Sequence, residues 1–282
     1  LLPINSRLSA EELAYILAHA GAKLMLLDEE FAALSGGFGQ VLLLDAAAQA
    51  DSRKLGDAQP FVEGEALRAE DVFRLMYTSG TTDRPKGGIH SYQNSHWKCL
   101  DHIAALGLNE GSRLLVAGPL YHVGAFDLPG LAVLATGGML AILRDFSEEA
   151  VFSSIAREGL TGTWLAPVML SRLLAYAAHG THDLSSLLWV IGGGERTPEQ
   201  RIRDFGRVFG AARYIDAYGL TETCSGDTMM DPGRELEKIG STGRALPHVR
   251  LSIRSDANEA LRPGDEGEIC LSGPKVTRGY WN

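Results

Sequence analysis

This sequence predicts an α/β fold of mainly parallel sheets flanked by helices, with a small β lobe at the C-terminal end. Three observations carry the prediction. Short apolar runs alternate with amphipathic helical stretches through most of the chain, the order that βαβ crossovers produce. Several of those runs are apolar without interruption, as strands covered on both faces are. Beyond Gly240 the helical period vanishes and half-buried alternation replaces it. With 282 residues, 45% of them hydrophobic, the chain can form one large core or a core with a lobe. The expected division is an α/β body over residues 1–239 and the start of a β-rich subdomain over 240–282.

Each element has a local reason. Ser9 and Glu12 form a capping box, Leu13, Ile16, Leu17 and Ala20 recur at helical spacing, and Gly21 is the C-cap. The runs Lys23 to Asp28 and Val41 to Asp45 read as buried parallel strands. Ala46 to Ala69 is polar and reads as a surface connection, and Val72 to Tyr77 as a further strand. A helix over Tyr92 to Leu106 precedes a strand at Arg113 to Ala117, which Pro119 stops. There follow a helix near Ala125 to Ala135, a strand at Gly138 to Leu143, a helix from Ser147 to Glu158 and a strand at Thr161 to Leu165. Pro167 opens a helix whose Val168, Leu170, Leu173 and Leu174 read as core. A strand at Leu187 to Ile191, a helix from Thr197-Pro198 to Val208 and a strand at Ala212 to Ala217 complete the body. Arg250 to Arg254 and Glu268 to Ser272 are the strands of the lobe.

Composition narrows the function classes. A formal charge of -9 argues against a nucleic-acid or anionic membrane surface as the main partner. Cys99, Cys224 and Cys270 are odd in number and widely spaced, which fits a reducing cytoplasm and neither a disulfide framework nor a metal cluster. No apolar stretch approaches the ~20 residues of a membrane span, and no basic-then-apolar leader opens the chain. The start at Leu1 reads as that of a fragment.

Chemistry concentrates first at Leu75-Met-Tyr-Thr-Ser-Gly-Thr-Thr-Asp-Arg-Pro-Lys-Gly87, where an apolar strand gives way to hydroxyls, Gly and a cation. Thr78, Ser79, Thr81 and Thr82 offer donors, Gly80 admits a ligand close to the backbone, and Lys86 adds charge, a composition suited to phosphate. A Ser/Thr/Gly surface turn is the bland alternative, and the pattern is not a Walker element, because Gly87 follows Lys86. Tyr218-Gly-Leu-Thr-Glu222 directly follows a strand, where α/β sheets place ligands. Glu222 suits Mg²⁺ shared with phosphates, Thr221 can donate to phosphate, and the Tyr218 ring can stack on a base. Gly192-Gly-Gly-Glu195 is a second strand end where backbone can approach a flat ligand, though glycines also end strands for steric reasons. Pro119-Leu-Tyr-His-Val-Gly-Ala125 contributes His122, a lone His of a kind more often a satisfied structural residue than a catalyst.

Taken together, these segments resemble the acyl-adenylate-forming superfamily, in which acyl-CoA synthetases, luciferases and peptide-synthetase adenylation domains fall. The Thr78–Lys86 loop matches its phosphate loop, with Asp83 standing where the family usually has Gly and therefore expected to point outward. Tyr218 to Glu222 matches its adenine, phosphate and metal segment, Gly193, Gly194 and Glu195 its adenine turn, and His122 its aromatic-His segment. His90 is expected to brace the loop. The resemblance extends through Gly267 to Gly273 and Gly279 to Asn282, so this chain would be the large N-terminal domain, incomplete at both ends and without the mobile C-terminal domain.

That resemblance implies ATP, Mg²⁺ and coenzyme A. The catalytic residues would be Thr78, Lys86, His122, Thr221 and Glu222, with Glu222 the metal ligand. Ser79, Gly80, Thr81, Thr82, Gly193, Gly194, Glu195, Tyr218 and Gly219 would join Thr78, Lys86 and Thr221 in holding nucleotide. The implied activity is ligation of a carboxylic acid to CoA through an acyl-adenylate. The opening segment and Tyr121 to Ala125 look most like medium- or long-chain fatty-acyl-CoA synthetases, with the small Cys224, Ser225 and Gly226 leaving an acyl tunnel open. Aryl-acid CoA ligases, carrier-protein-loading adenylation domains and an ATP-binding fragment with little turnover remain alternatives. The implied partners are the acid, ATP and CoA, with room for a homodimer, and the implied location is cytoplasmic.

Overall fold

The computed structural model describes residues 1–44, 66–78, 84–210 and 212–282. Most of the expected connection 46–69 and all of Ser79 to Asp83 lie outside them. The chain divides into two compact units, Leu1–Tyr92 with Gly279–Asn282, and Gln93–Arg278.

In the first unit the capping box forms as the sequence requires. Ser9 N–H donates to Glu12 Oε2 at 2.8 Å and Glu12 N–H to Ser9 Oγ at 3.3 Å, starting helix α1 (Ala10–Ala20). Gly21 ends it at φ 63°. Leu13 and Ile16 face inward. Strand β1 (Met25–Asp28) pairs in parallel with β2 (Val41–Leu44), and a 3₁₀ stretch, Glu29–Ser35, links them. Burial of both strands does not hold: all four residues of β2 are exposed, because among the described residues this sheet has only two strands. Strands β3 (Val72–Thr78) and β4 (Lys86–Ser91) form an antiparallel hairpin, and the N-terminal half of β4 receives the main chain of Gly279 to Trp281.

The second unit is built on a seven-stranded sheet. Its strands are β5 (Arg113–Val116), β6 (Met139–Ile142), β7 (Gly162–Leu165), β8 (Trp189–Gly192), β9 (Arg213–Tyr218), β10 (Thr228–Met229) and β11 (Arg244–Ala245), ordered β11-β10-β9-β8-β7-β5-β6. The five from β9 to β6 are parallel, and β10 and β11 add antiparallel pairs at one edge. Alternation divides the strand side chains between two cores. Leu114, Val116, Ile191, Ile215 and Ala217 belong to one, with Ala132 and Val133 of helix α3 (Gly130–Ala135) and Ile103 and Leu106 of α2 (Tyr92–Leu106). Leu115, Ala117, Leu165, Val190 and Tyr214 belong to the other. There they meet Phe152 and Ile155 of α4 (Glu148–Glu158), Leu170 and Leu173 of α5 (Pro167–Ala175), and Phe205 and Phe209 of α6 (Glu199–Phe209). Each fully buried side chain of this size contributes about 2 kcal/mol of transfer free energy.

The helix expected near 125–135 is divided into a π-helical turn, Val123–Asp127, and α3, because Pro129 cannot donate to a continuous helix. Val168 is exposed, since it lies well around α5 from Leu170 and Leu173. Strands β12 (Arg250–Arg254) and β13 (Glu268–Ser272) form a separate antiparallel sheet.

Candidate functional site

In the first unit the last pair of the hairpin ladder is Thr78 with Lys86. Thr78 is half-buried and Lys86 exposed, its Nζ 5.5 Å from the Tyr280 ring centroid. Tyr77 lies across Gly87, where a Cβ would come within 3.0 Å of the ring, and its hydroxyl bonds His19 Nδ1 at 2.7 Å. Burial pushes the Tyr77 phenol up to about 12. His90 braces the hairpin from inside, accepting from buried Arg74 Nε at 3.1 Å.

In the second unit the connections from β5 and β7 leave in opposite directions, since β6 lies on one side of β5 and β8 beyond β7 on the other. Such a switch point at the carboxyl ends of parallel strands is where this architecture forms a crevice. His122 stands there, its ring stacked on Trp164 at the end of β7 with centroids 5.9 Å apart. The Trp164 indole in turn covers Gly124, where a Cβ would meet it at 2.6 Å. Gly124 N–H donates to His122 Nδ1 at 3.0 Å, so a neutral ring carries its hydrogen on Nε2. Burial of the stacked face lowers the His122 pKa, against the opposing charge of Asp127. The arrangement presents an Nε2–H donor.

Further along the same edge, glycines follow β8 for reasons that can be assigned. A Cβ on Gly192 would run into the Tyr214 hydroxyl and one on Gly193 would lie 2.8 Å from Ala217 O, while Gly194 takes φ 98° in open space. The first two are small because β9 packs on them, and only Gly194 and Glu195 reach the surface. Tyr218, half-buried, ends β9, and its phenol is raised above its ordinary value by burial and by the charges of Asp227 and Glu222. A 3₁₀ turn, Thr221–Thr223, then presents Thr221 and Glu222, both half-buried.

The acyl tunnel expected at Cys224 to Gly226 is not what these residues border. Cys224 is fully buried, and a Cβ on Gly226 would fall 2.4 Å from His102 Nε2 and 2.7 Å from Leu128 Cδ1, so Gly226 abuts packed protein. Among the described residues no group of three or more His, Cys, Asp or Glu side chains could hold a metal ion. A single carboxylate at Glu222 suits Mg²⁺, which keeps waters and substrate phosphates among its ligands.

The sequence profile described as AMP-binding enzyme matches residues 1–281. The chain belongs to that family. A feruloyl-CoA synthase of Amycolatopsis sp is 33% identical over 287 residues, covering 99% of this chain and 56% of that protein. An indoleacetate–CoA ligase of Aromatoleum aromaticum is 31% identical, covering 100% and 57%. A long-chain-fatty-acid–CoA ligase of Mycobacterium tuberculosis is 28% identical, covering 100% and 56%. The chain thus spans about half the length of these relatives. Among solved structures, the inhibitor-bound N-terminal domain of FACL13 from Mycobacterium tuberculosis superposes with TM-score 0.87 at 26% identity, over 100% of this chain and 71% of that one. The o-succinylbenzoate CoA synthetase of Bacillus subtilis, in complex with ATP and magnesium ion, gives 0.85 at 27%, over 100% and 57%.

Within this AMP-binding chain, sequence reasoning missed a buried set of ionisable side chains behind the Thr221–Glu222 turn. Lys98, His102, Asp127, Asp227 and Lys275 are each fully buried. Asp227 accepts from Leu220 N–H at 3.3 Å and from the Thr223 hydroxyl, closing the loop on itself. Burial raises its pKa, against the stabilising charge of Lys275. Lys98 Nζ donates to Asp127 O at 2.8 Å. Desolvation and the two lysines hold the His102 pKa well below its ordinary value. Isolated charges in apolar or Gly-rich stretches carry no sequence signal that separates them from solvated ones.

Proposed function

We propose that this chain supplies the ATP- and acid-binding part of an AMP-forming acid–CoA ligase. The observation that carries the reading is His122, held as an Nε2–H donor at the switch point of the parallel sheet, one strand end away from the adenine turn. A carboxylate is a poor acyl donor because oxide would have to leave. In the proposed reaction a carboxylate oxygen attacks the α-phosphorus of ATP, the bond to the β-phosphate oxygen breaks, and pyrophosphate leaves with the electron pair. The thiol of CoA then adds to the acyl carbon of the mixed anhydride, and AMP departs. His122 orients the carboxylate, Thr221 donates to phosphate, and Tyr218 with Gly193, Gly194, Gly219 and Glu195 borders the base. Thr78, Ser79, Gly80, Thr81, Thr82 and Lys86 hold phosphates. Mg²⁺ on Glu222, when bound, offsets charge on phosphate oxygens.

Of the acid classes, an aryl or arylalkyl acid is the reading favoured, because ferulate, indoleacetate and 2-succinylbenzoate appear in the names of relatives at 33%, 31% and 33% identity. A medium- or long-chain fatty acid is the second reading, supported by the long-chain relative at 28%. Carboxylate-dependent ATP–pyrophosphate exchange decides among them, using ferulate, cinnamate, benzoate, indoleacetate and saturated fatty acids of several lengths. Exchange with an aryl acid alone supports the first reading, and exchange with fatty acids alone the second. ATP binding without exchange for any acid, in this chain and in any longer natural chain that carries it, would leave a nucleotide-binding module in place of a ligase.

A further inference from the structure

Lys275 is fully buried, and its ammonium sits among three oxygens, two of them carbonyls that accept its protons. It donates to Ser225 O at 3.2 Å and to Gly226 O at 2.6 Å, and it pairs with Asp227 Oδ1 at 3.0 Å. All three oxygens belong to the loop that follows Glu222. That loop needs such a hold: Cys224, Ser225 and Gly226 take φ of 58°, 71° and 66°, three left-handed residues in succession, two of them carrying a Cβ. Two residues beyond Lys275, Thr277 N–H donates to Glu222 O at 2.7 Å. The segment 274–276 is itself fastened to helix α2, where Asn94 Nδ2 donates to Pro274 O at 2.9 Å and to Val276 O at 3.0 Å. A continuous chain of bonds therefore runs from α2 through residues 274–277 to both ends of the stretch 222–227.

Stability alone does not call for this arrangement. Burying an ion pair costs desolvation that its Coulomb attraction offsets only in part, and well-packed apolar side chains serve the fold as well or better. What an apolar replacement cannot do is donate to two carbonyls and pair a buried carboxylate at once, and so fix a strained turn in one position.

Resting on the reading above, we propose that Lys275 is a positioning residue for catalysis, holding the Thr221–Glu222 turn where Thr221 meets phosphate and Glu222 meets the metal ion. Its partner Asp227 closes the same loop.

The test separates position from folding. Lys275→Met alone strands the Asp227 carboxylate and can unfold the protein, so the informative variant is Lys275→Met combined with Asp227→Asn, which removes the charge penalty while leaving the two carbonyls without their donor. Thermal melting, hydrogen exchange of the Cys224, Ser225 and Asp227 amides, magnesium-dependent ATP binding by calorimetry and pyrophosphate exchange are measured on wild type, the double variant and Glu222→Gln. In the expected result the double variant melts cooperatively near wild type and its loop amides exchange faster. Its KM for magnesium–ATP and its magnesium requirement both rise about tenfold, the weight of a hydrogen bond to a charged group, with a smaller change in kcat. Wild-type loop protection together with wild-type KM in the double variant overturns the proposal. If wild type itself shows no magnesium-dependent nucleotide binding, the ligase reading falls and the catalytic positioning role falls with it, whereas faster loop exchange in the double variant would still establish the mechanical hold.

Discussion

Gly124 N–H and His122 Nδ1 are 3.0 Å apart, and this one bond sets which proton the imidazole can offer. An acceptor at Nδ1 requires the hydrogen at Nε2. Protonation would place two N–H groups against each other, and the depressed pKa reflects a ring kept neutral by its burial on Trp164. His122 is thus built to donate and poorly built to take a proton. His122→Ala should lower kcat for pyrophosphate exchange by about a hundredfold to a thousandfold, the range for losing one preorganised donor. His122→Gln, which retains an N–H, should recover part of it. Activity that instead rose with the fraction of protonated ring would refute a donor role.

Asp216 on β9 gives a stability prediction with a defined sign. It is 6% exposed, and burial raises its pKa to about 6 from 3.8. Between those values the native state retains a proton that the unfolded chain has released, so stability falls as pH rises through the window from about 4 to about 6. Above it the full penalty persists, up to about 3 kcal/mol for a shift of roughly two units. Asp216→Asn should therefore be more stable than wild type at pH 7 and lose that advantage by about pH 4. Urea unfolding of both proteins at the two pH values measures it, and a gap independent of pH would show that Asp216 is not the titrating group.

How far the sequence disclosed this molecule depends on whether the cause was local. The Ser9–Glu12 box and the alternation that sends Leu114 and Leu115 into different cores are local, and both were legible. Strand β4 was not, because Gly87 and Gly88 have little strand propensity and are needed there by packing, Gly87 lying under the Tyr77 ring. The exposure of β2 reverses an inference drawn from its apolar run, since a run reports what a strand tolerates and not how many strands flank it. At the candidate site, Tyr218 to Glu222 and His122 could be proposed from their neighbours in sequence. Lys275 could not, because the two carbonyls it donates to lie 50 and 49 residues earlier in the chain.

Lys86 offers a test in the first unit. Its Nζ stands over the Tyr280 ring, an exposed cation–π contact of about 0.5–1 kcal/mol. If the contact is its only role, Lys86→Met and Tyr280→Ala should be alike, each costing under about 1 kcal/mol and leaving ATP affinity intact. If Lys86 serves phosphate, Lys86→Met alone should weaken ATP binding about tenfold or more. Calorimetric titration of both variants distinguishes the two.

Two glycines in the second unit should respond to alanine with opposite signs. A Cβ on Gly124 would lie 2.6 Å from Trp164 Cζ2 and 2.8 Å from its Cε2, a rigid indole that is itself part of the core, so relief requires moving the ring or the turn that carries His122. Gly124→Ala should cost about 1–3 kcal/mol, the usual penalty of overpacking, and should impair exchange beyond that loss because His122 shifts with it. Gly206 is exposed in the interior of α6, and a Cβ there would meet nothing within 4 Å. Gly206→Ala should stabilise by about 0.4–1 kcal/mol through the reduced freedom of the unfolded chain. Denaturant unfolding of the two variants beside wild type decides this. Equal and small effects at both positions would mean that Trp164 yields easily, and the rigidity assigned to the His122 turn would have to be abandoned.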